Sequence, residues 1–572
     1  MVYQILFLFS SLLLLWYLYD RFVQREHTLL INYPVIGRMR YFFEAVREPF
    51  RQYFGSEDIF DSRDKIEWVY KAARGKSTFT SFSPSDPQKN PKFMLKHAFA
   101  PLNDHEVSVD FSVTFGARRT IPFVSNSVIC RSAMSDGSIS PEGTQAFTIG
   151  AHRGKFPINT GEGGLTTNFL VTHRAYDNRY MQIVSLKSWQ TRLFQLLRFL
   201  FNTAFAISVL KPLVLPRGME DTYNFDRSKM CFYRINWEAP LSHFPDHVPK
   251  DIADIILQIG SGLYGVRDEK GNFDPIRYQK AMRFCKMTEI KLAQGAKQTG
   301  GKLTKNKVTE AIAYYRGVTP HKDLFSPNRF PYANTVSELF DFIEKLQNLS
   351  GKPVGFKTII SDRESFIPIC REIKKRLEKG QSIPDFITID GGEGGSATAP
   401  IELMERIGLG IKDALYLADE ILRVEGIRDQ IKLIASGKVL TPDNVVILMA
   451  LGADMVAIAR GFMMSAGCIR ARVCSGAGKH QCPVGLATQD KTKRKAYIVH
   501  KYATMVEQYH HNMRKNIRMI LAVMGLSHIS QLSSKHLLLV DENGYIHQDI
   551  KRYLDNKYQN DTKEEAVAEA LV

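Results

Sequence analysis

The chain has 572 residues, 44% hydrophobic and 24% charged, with a formal net charge of +17. This composition excludes a disordered or low-complexity polymer, and seven cysteines in so long a chain exclude a disulfide framework. The basic surplus suits anionic lipid or an acidic protein partner; nucleic acid is disfavoured because neither zinc-finger spacing nor an aromatic RNA-binding pattern accompanies it.

In chain order, the first element is an apolar run from Val2 to Tyr19, interrupted only by Gln4 and two serines. As a helix it would reach roughly 27 Å, enough to span a bilayer. No basic residue precedes it and no small-x-small cleavage site follows, which argues against a cleaved signal peptide. Arg21, Arg25, Arg38 and Arg40 follow it, so residues 1–20 are expected to be a single-pass anchor with the body in the cytoplasm. Residues 21–105 lack strand–helix periodicity and are expected to be an ancillary segment wrapping the main domain. Residues 106–530 are expected to form that domain, with an insertion at about 172–255 and a tail from 531 to 572.

Within the main domain, PVGFKTII (353–360), PDFITID (384–390), IKLIASG (431–437) and ADMVAIARG (453–461) each begin apolar and end polar or in glycine. Such runs suit strands buried on both faces, and helical stretches between them make the sheet parallel. Thr441-Pro442-Asp443 supplies an N-cap, a first-turn proline and a carboxylate for the positive helix end, and Gly452 closes that helix. Strand–helix alternation sustained this long predicts an eightfold α/β TIM barrel. The apolar run Leu193–Leu215 inside the insertion cannot be a membrane crossing, since that would place two parts of one barrel on opposite sides. It is expected to be an interfacial helix or re-entrant hairpin, or else a helix packed on the barrel.

The site signals lie at strand ends. Gly437 and Gly461 follow the last two strands, where barrel loops present backbone N–H groups to a phosphate such as that of FMN, although turn glycines read the same way. A second glycine cluster, Gly391 to Gly395 interrupted by Glu393, leaves room for a flat group or forms a loop. Lys357 sits within an apolar strand, where an ammonium needs an anion: the reduced flavin edge or a structural ion pair. Cys468, Cys474 and Cys482 form a C-x5-C-x7-C run that suits an iron–sulfur cluster, a Cys₃His zinc site with His480, or reduced thiols without metal.

Several motifs in order then resemble a known family. RSAMSDGSIS (131–140), NTGEGG (159–164), IKLAQGAK (290–297), ITIDGGEGG (387–395) and GCIRARVC…CPVGLATQ (467–489) are similar to the synthase domain of glutamate synthases. The N-terminal run and INYPVIGRMRYFFE (31–44) resemble its FMN-binding subgroup. The resemblance implies an FMN-binding TIM barrel, a [3Fe-4S] cluster, and reductive conversion of 2-oxoglutarate with ammonia to glutamate. It implies that Ala133, Met134 and Ser135 line the flavin, that Gln294 and Lys357 meet its polar edge, and that Gly391 and Gly392 flank it. It further implies that Gly437, Arg460 and Gly461 hold the phosphate, that Lys297 binds a substrate carboxylate, and that Glu162 handles a proton at the developing amine. Cys468, Cys474 and Cys482 would bind the cluster, relaying single electrons from an external donor, either ferredoxin-like or a separate flavoprotein subunit.

Three departures stand beside that resemblance. No amidotransferase domain precedes the barrel, so glutamine hydrolysis would fall to a separate glutaminase. The second cysteine spacing is three residues longer than the family's C-x5-C-x4-C. The family's KPGEGGQ stretch reads KQTGGK at 297–302. The alternatives are a flavin oxidoreductase acting on another 2-oxo acid or imine, and a flavin-binding membrane electron relay without turnover. No strand-linked dinucleotide fingerprint occurs.

Overall fold

The computed structural model describes residues 2–44, 46, 63–78, 93–174, 177–201, 203–295, 300–396, 398–403, 406–475, 481–541 and 543–555. Eight parallel strands close into a barrel: β1 (Ile129–Arg131), β2 (Ile158–Asn159), β3 (Ile255–Ile259), β4 (Met287–Lys291), β5 (Val354–Thr358), β6 (Phe386–Asp390), β7 (Lys432–Ser436) and β8 (Met455–Ile458). Closure is made by Val456, Ala457 and Ile458 of β8 pairing with Ile129, Cys130 and Arg131 of β1. The four strands expected from residues 353–461 all form, because their side chains are buried on both faces, as a parallel sheet under helices requires. β1 and β2 are too short to carry a pattern of their own, and the closed ladder holds them.

Local chemistry sets the helices. Ser140 accepts a 3.1 Å bond from Gly143 N, with Pro141 in the first turn of the helix Pro141–Gly154. Asp274, Thr335 and Asp362 cap the helices Pro275–Met282, Val336–Ser350 and Arg363–Glu378 in the same way. Thr441 stands at the cap of Pro442–Ala450, but its hydroxyl meets Asn444 Oδ1 at 3.3 Å instead of capping.

The two barrel ends differ. A hairpin, Val113–Phe115 with Phe123–Ser125, plugs the N-terminal end, packing Phe115 and Phe123 against Cys130, Ile256, Met287, Phe386 and Met455. Chemistry is therefore confined to the opposite mouth, where the strand-end loops converge. The 25-residue helix Val499–Val523 packs on Pro141–Gly154 and on Arg63–Ala73 of the ancillary segment. Its buried His510 bonds Ser127 Oγ at 2.8 Å and, pushed down to about 3 by burial, stays neutral.

The insertion forms a three-stranded antiparallel sheet (Met181–Ser185, Cys231–Ile235, Asn224–Asp226) carrying a helical hairpin, Ser188–Leu200 and Thr203–Val214. The apolar run is thus two helices, not one. Phe194, Ala206, Leu210 and Leu215 pack on Tyr223 and Phe232 of the insertion itself. Trp189, Leu196, Phe199 and Leu200 remain exposed. At the N-terminus, the helix Val2–Leu18 continues as a wide turn, Tyr19–Val23. The window Leu6–Val23 is long and apolar enough to cross a membrane by length and composition, and 6% of it is buried. Its base is fixed by the buried Asp20, which accepts 2.6 and 3.1 Å bonds from Arg38 and 2.9 Å from Val35 N. The tail closes back on the ancillary segment, with Leu537–Val540 pairing Phe93–Leu95.

Candidate active site

The loop after β1 carries Ala133, Met134 and Ser135 into the mouth. Ser135 Oγ accepts a 3.1 Å bond from Gly163 N. A Cβ on Gly161 would stand 2.6 Å from Ser135 N, so glycine is what lets the loop after β2 lie against it. That contact places Glu162 over the mouth. Arg131 anchors the first loop from behind, donating 3.1 Å bonds to the carbonyls of Ser132 and Met134.

Glu162 is surrounded by cations. Lys291, the last residue of β4, stands 3.3 Å from its Oε1. Arg316, at the end of the helix Glu310–Arg316, lies beside it, 5% exposed, with its guanidinium 5.2 Å over the Tyr264 ring and its Nε without a hydrogen-bond partner among the described residues. Burial alone would raise the Glu162 carboxyl, but Lys291, Arg316 and Lys357 together hold it below its ordinary range. Glu162 is therefore an ionised acceptor at neutral pH. Neither Lys291 nor Arg316 stands out in sequence. The first looks like the polar end of a strand, and the second lies 154 residues from Glu162 (316 − 162).

Beneath the mouth, Glu289 of β4 holds a polar layer together. It accepts from Asn159 (2.8 Å), Gln258 (2.7 Å) and Thr388 (2.5 Å). With these carboxylate lone pairs satisfied, the buried charge is tolerable, and Asn159 Oδ1 passes the order upward to Gly161 N at 2.9 Å. Lys357 lines the same interior with Glu289, Ala133 and Thr388. Among the described residues no carboxylate pairs with Lys357, so the structural ion-pair reading is not met. The sequence signal for Glu289, a carboxylate inside an apolar strand, went unread.

Gln294 donates a 3.2 Å bond to Gly395 O, joining the loop after β4 to the glycine loop after β6. The two loops touch so closely that a Cβ on Gly295 would lie 1.7 Å from Gly391 O. Gly391 and Gly392 are themselves packed on backbone, 2.6 Å from Ile411 N and 2.5 Å from Gly408 O by the same test. Glu393, not singled out from sequence, accepts from Ile411 N through both oxygens at 3.0 Å and so caps the helix Ile411–Val424. Burial raises its carboxyl above the ordinary range despite those bonds. Gly437 faces this carboxylate, with 3.3 Å between its would-be Cβ and Glu393 Oε1. Arg460 reaches across to Gly395, at 3.4 Å by the same measure. Gly461 opens the short helix Arg460–Ser465 rather than ending a strand, and a Cβ there would meet Tyr509 Oη at 2.1 Å. Its glycine is explained by that packing. Lys297 and His480 lie outside the described residues.

The cysteine loop leaves β8 through that helix. Cys468 and Cys474 are partly buried and Cys482 is buried. Burial pushes the Cys468 thiol up to about 12 and raises that of Cys474, and all three sulfurs act on one another as like-charged neighbours. Among the described residues no three His, Cys, Asp or Glu side chains are drawn together as a ready metal site. What fits a metal group is the donor chemistry, three neighbouring thiols, together with a buried cation beside them, Lys307. The ancillary segment covers this loop: Tyr70 Oη donates to Cys468 O at 2.8 Å and Asn32 Nδ2 to Pro483 O at 2.7 Å.

Comparison with known proteins agrees with this geometry. Residues 112–527 match the conserved region in glutamate synthase. The chain is 31% identical over 567 residues to the glutamate synthase large subunit-like protein YerD of Bacillus subtilis (strain 168), covering 91% of this chain and 92% of that one. It is 30% identical over 263 residues to the glutamate synthase [NADPH] large chain of the same organism, covering 46% of this chain and 16% of that one. The archaeal-type glutamate synthase [NADPH] of Thermotoga sp. (strain RQ2) is 30% identical over 303 residues, covering 51% and 55%. A closed parallel barrel with an ionised glutamate among cations at its mouth, matched along most of its length, makes this chain a member of the glutamate synthase family of flavin oxidoreductases.

Proposed function

We propose that this protein makes glutamate by reductive amination, with FMN at the barrel mouth and a [3Fe-4S] cluster on Cys468, Cys474 and Cys482. The observation that carries the reading is the ionised Glu162 between Lys291 and Arg316, above a lysine, Lys357, that pairs with no carboxylate among the described residues. FMN, when bound, would supply the hydride equivalent, and a cluster held by Cys468, Cys474 and Cys482 would pass on single electrons from a ferredoxin-like protein or a flavoprotein subunit. Ala133, Met134 and Ser135 would lie along the flavin, with Gln294 and Lys357 at its polar edge. Arg460 and the glycines at 391, 392, 437 and 461 would hold the phosphate side.

The balance of the reaction is simple. 2-Oxoglutarate and ammonia lose water to give 2-iminoglutarate, which takes up two electrons and two protons to become glutamate. Lys291 and Arg316 bind and orient carboxylate, with Lys297 in the same role. Glu162, as an acceptor, holds the imine N–H and then the new ammonium, so that the carbon faces the flavin. Ammonia comes from solution or from a separate glutaminase. The test is glutamate formation by FMN-loaded protein with reduced ferredoxin and 2-oxoglutarate, comparing ammonium with glutamine as nitrogen source. Turnover of other 2-oxo acids but not 2-oxoglutarate would assign a different substrate, and flavin reduction without product would leave an electron relay.

The N-terminal helix is proposed as a single-pass anchor with the body in the cytoplasm. Support comes from its exposed apolar surface and from its contact with the insertion. The Phe22 and Phe201 rings meet in a tilted arrangement at 6.4 Å, and Arg25 donates to Phe201 O, so the hairpin tip stands at the anchor's exit. Exposed Trp189 and Phe199, with Arg192 between them, would then rest on anionic headgroups. In vesicles containing a photoactivatable phospholipid, adducts are expected on both 6–23 and 189–200. Adducts on 6–23 alone would remove the hairpin from the membrane, and none at all would remove the anchor.

A further inference from the structure

We propose that Lys307 is the positioning and charge-compensating residue of the cysteine loop, tying that loop to the flavin-facing loop and balancing the negative charge of the three sulfurs when they hold a cluster. The proposal rests on the cluster reading above. Lys307 ends the single helical turn Lys305–Lys307 and is 4% exposed. Its ammonium donates to three carbonyls, Cys474 O at 2.7 Å, Ala487 O at 3.1 Å and Ser138 O at 3.2 Å. Those carbonyls belong to the second cysteine itself, the loop after the third, and the loop after β1. One side chain therefore fastens both flanks of Cys482 to the segment that carries Ala133, Met134 and Ser135.

Two further residues, Gln489 and Ser140, bond along the same seam. Gln489 Nε2 donates to Gly137 O and Ile139 O at 3.0 and 3.1 Å, and Ser140 N donates to Leu486 O at 2.8 Å. Either would serve as a staple without a charge, so stapling alone does not explain a lysine. Among the described residues no carboxylate pairs with Lys307, and the ionisable groups acting on it are the Cys474 and Cys482 thiols. A buried ammonium without an anion is costly, and carbonyl dipoles alone make up part of that cost. Thiolates bound to a cluster supply the missing charge, and a neutral pair of thiols does not.

The experiment uses the full-length, anaerobically purified protein and its K307R, K307Q and K307M variants. Iron, acid-labile sulfide, FMN content and the cluster's midpoint potential by redox titration are read for each. Expected are wild-type values in K307R, and in K307Q and K307M either a severalfold loss of iron and sulfide at unchanged FMN content, or a midpoint moved to more negative potential. The sign follows because removing a nearby positive charge disfavours adding an electron. Wild-type iron, sulfide and midpoint in both uncharged variants would overturn the proposal. A K307Q variant matching wild type while K307M does not would overturn the charge and leave the staple. Wild-type protein without iron and sulfide, or with zinc alone, would instead end the cluster reading, and the proposal with it. If K307M does not fold, as judged by lost FMN, K307Q and K307R still decide.

Discussion

Arg316 and Lys307 sit on one short segment and are both buried, yet their surroundings differ in kind. Arg316 looks into the barrel mouth, where Glu162 answers its charge and Lys291 shares the same carboxylate. Lys307 looks the other way, into the cysteine loop, and meets carbonyl oxygens and sulfur. The mouth is internally balanced by carboxylate and cations together. The cysteine side carries a cation whose natural counter-charge is a set of thiolates, and burial favours the protonated thiols of Cys468 and Cys474 unless a metal takes their protons. Charge balance thus separates a site preassembled by protein alone from one whose charge state depends on what binds.

Breaking the mouth's carboxylate should have the largest effect. Glu162→Gln is expected to lower kcat by about 10²–10⁴ with FMN content unchanged, measured at saturating donor and 2-oxo acid. A variant retaining wild-type kcat would take the carboxylate out of the chemistry. On the cysteine side, Arg494 is clamped by two carboxylates behind the loop, with 2.8 Å bonds to both oxygens of Asp221 and 2.8 and 3.1 Å bonds to Glu142. Arg494→Met should take the main partner from the buried Asp221 and from the half-buried Glu142, and cost about 3–5 kcal/mol in denaturant unfolding. The same clamp holds Asp221 well below the ordinary carboxylate range: burial opposes, but Arg494 wins, with Lys211 and Lys491 adding to it. Its stabilisation is therefore complete above the unfolded value and lost as pH falls through the depressed one. The variant should show a flatter acid limb of stability than wild type.

Arg316→Met sharpens the comparison from the mouth. Losing one charged hydrogen bond to a substrate carboxylate should raise KM by about 10–100-fold. It should also move the acid limb of kcat/KM to higher pH, because the cations around Glu162 are what hold its carboxyl below its ordinary range. Arg316→Lys should restore the limb; if neither variant moves it, Glu162 does not control that limb. Smaller still is Gly295→Ala, whose methyl would run into Gly391 O. It should cost about 1–3 kcal/mol and weaken FMN retention, read by flavin release on dilution. Phe199→Ser, on an exposed face touching neither site, should change the stability of detergent-solubilised protein by less than about 0.5 kcal/mol. A larger loss would mean that the hairpin face is packed against protein.

Much of the fold was legible because it is written locally. Continuous apolar runs ending in polar residues marked β5 to β8, and the Pro442 turn marked the helix between the last two. β1 and β2, three and two residues long, carry no such pattern, and the motifs RSAMSDGSIS and NTGEGG placed their loops through resemblance alone. At the site, Glu162 and Gln294 came with their motifs, and Lys357 with its place inside an apolar strand. Lys291, Arg316, Glu289 and Glu393 did not, since what distinguishes them is which charges they meet across the barrel. The glycines show the same limit. Their positions were legible, yet Gly461 is glycine because of Tyr509, and Gly391 because of the Ile411 helix.

By itself the sequence determined the parallel barrel, its family, the apolar N-terminal helix and the three cysteines, because strand burial, helix capping and motif order act between near neighbours. Only the tertiary structure decided that the apolar run of the insertion folds as a hairpin meeting the N-terminal helix, that Lys357 has no ion pair among the described residues, and that Lys307 lies between the cysteine loop and the loop after β1. Those outcomes depend on distances between residues up to 180 positions apart, Lys307 and Ala487 among them, and closure of the barrel is what sets such distances.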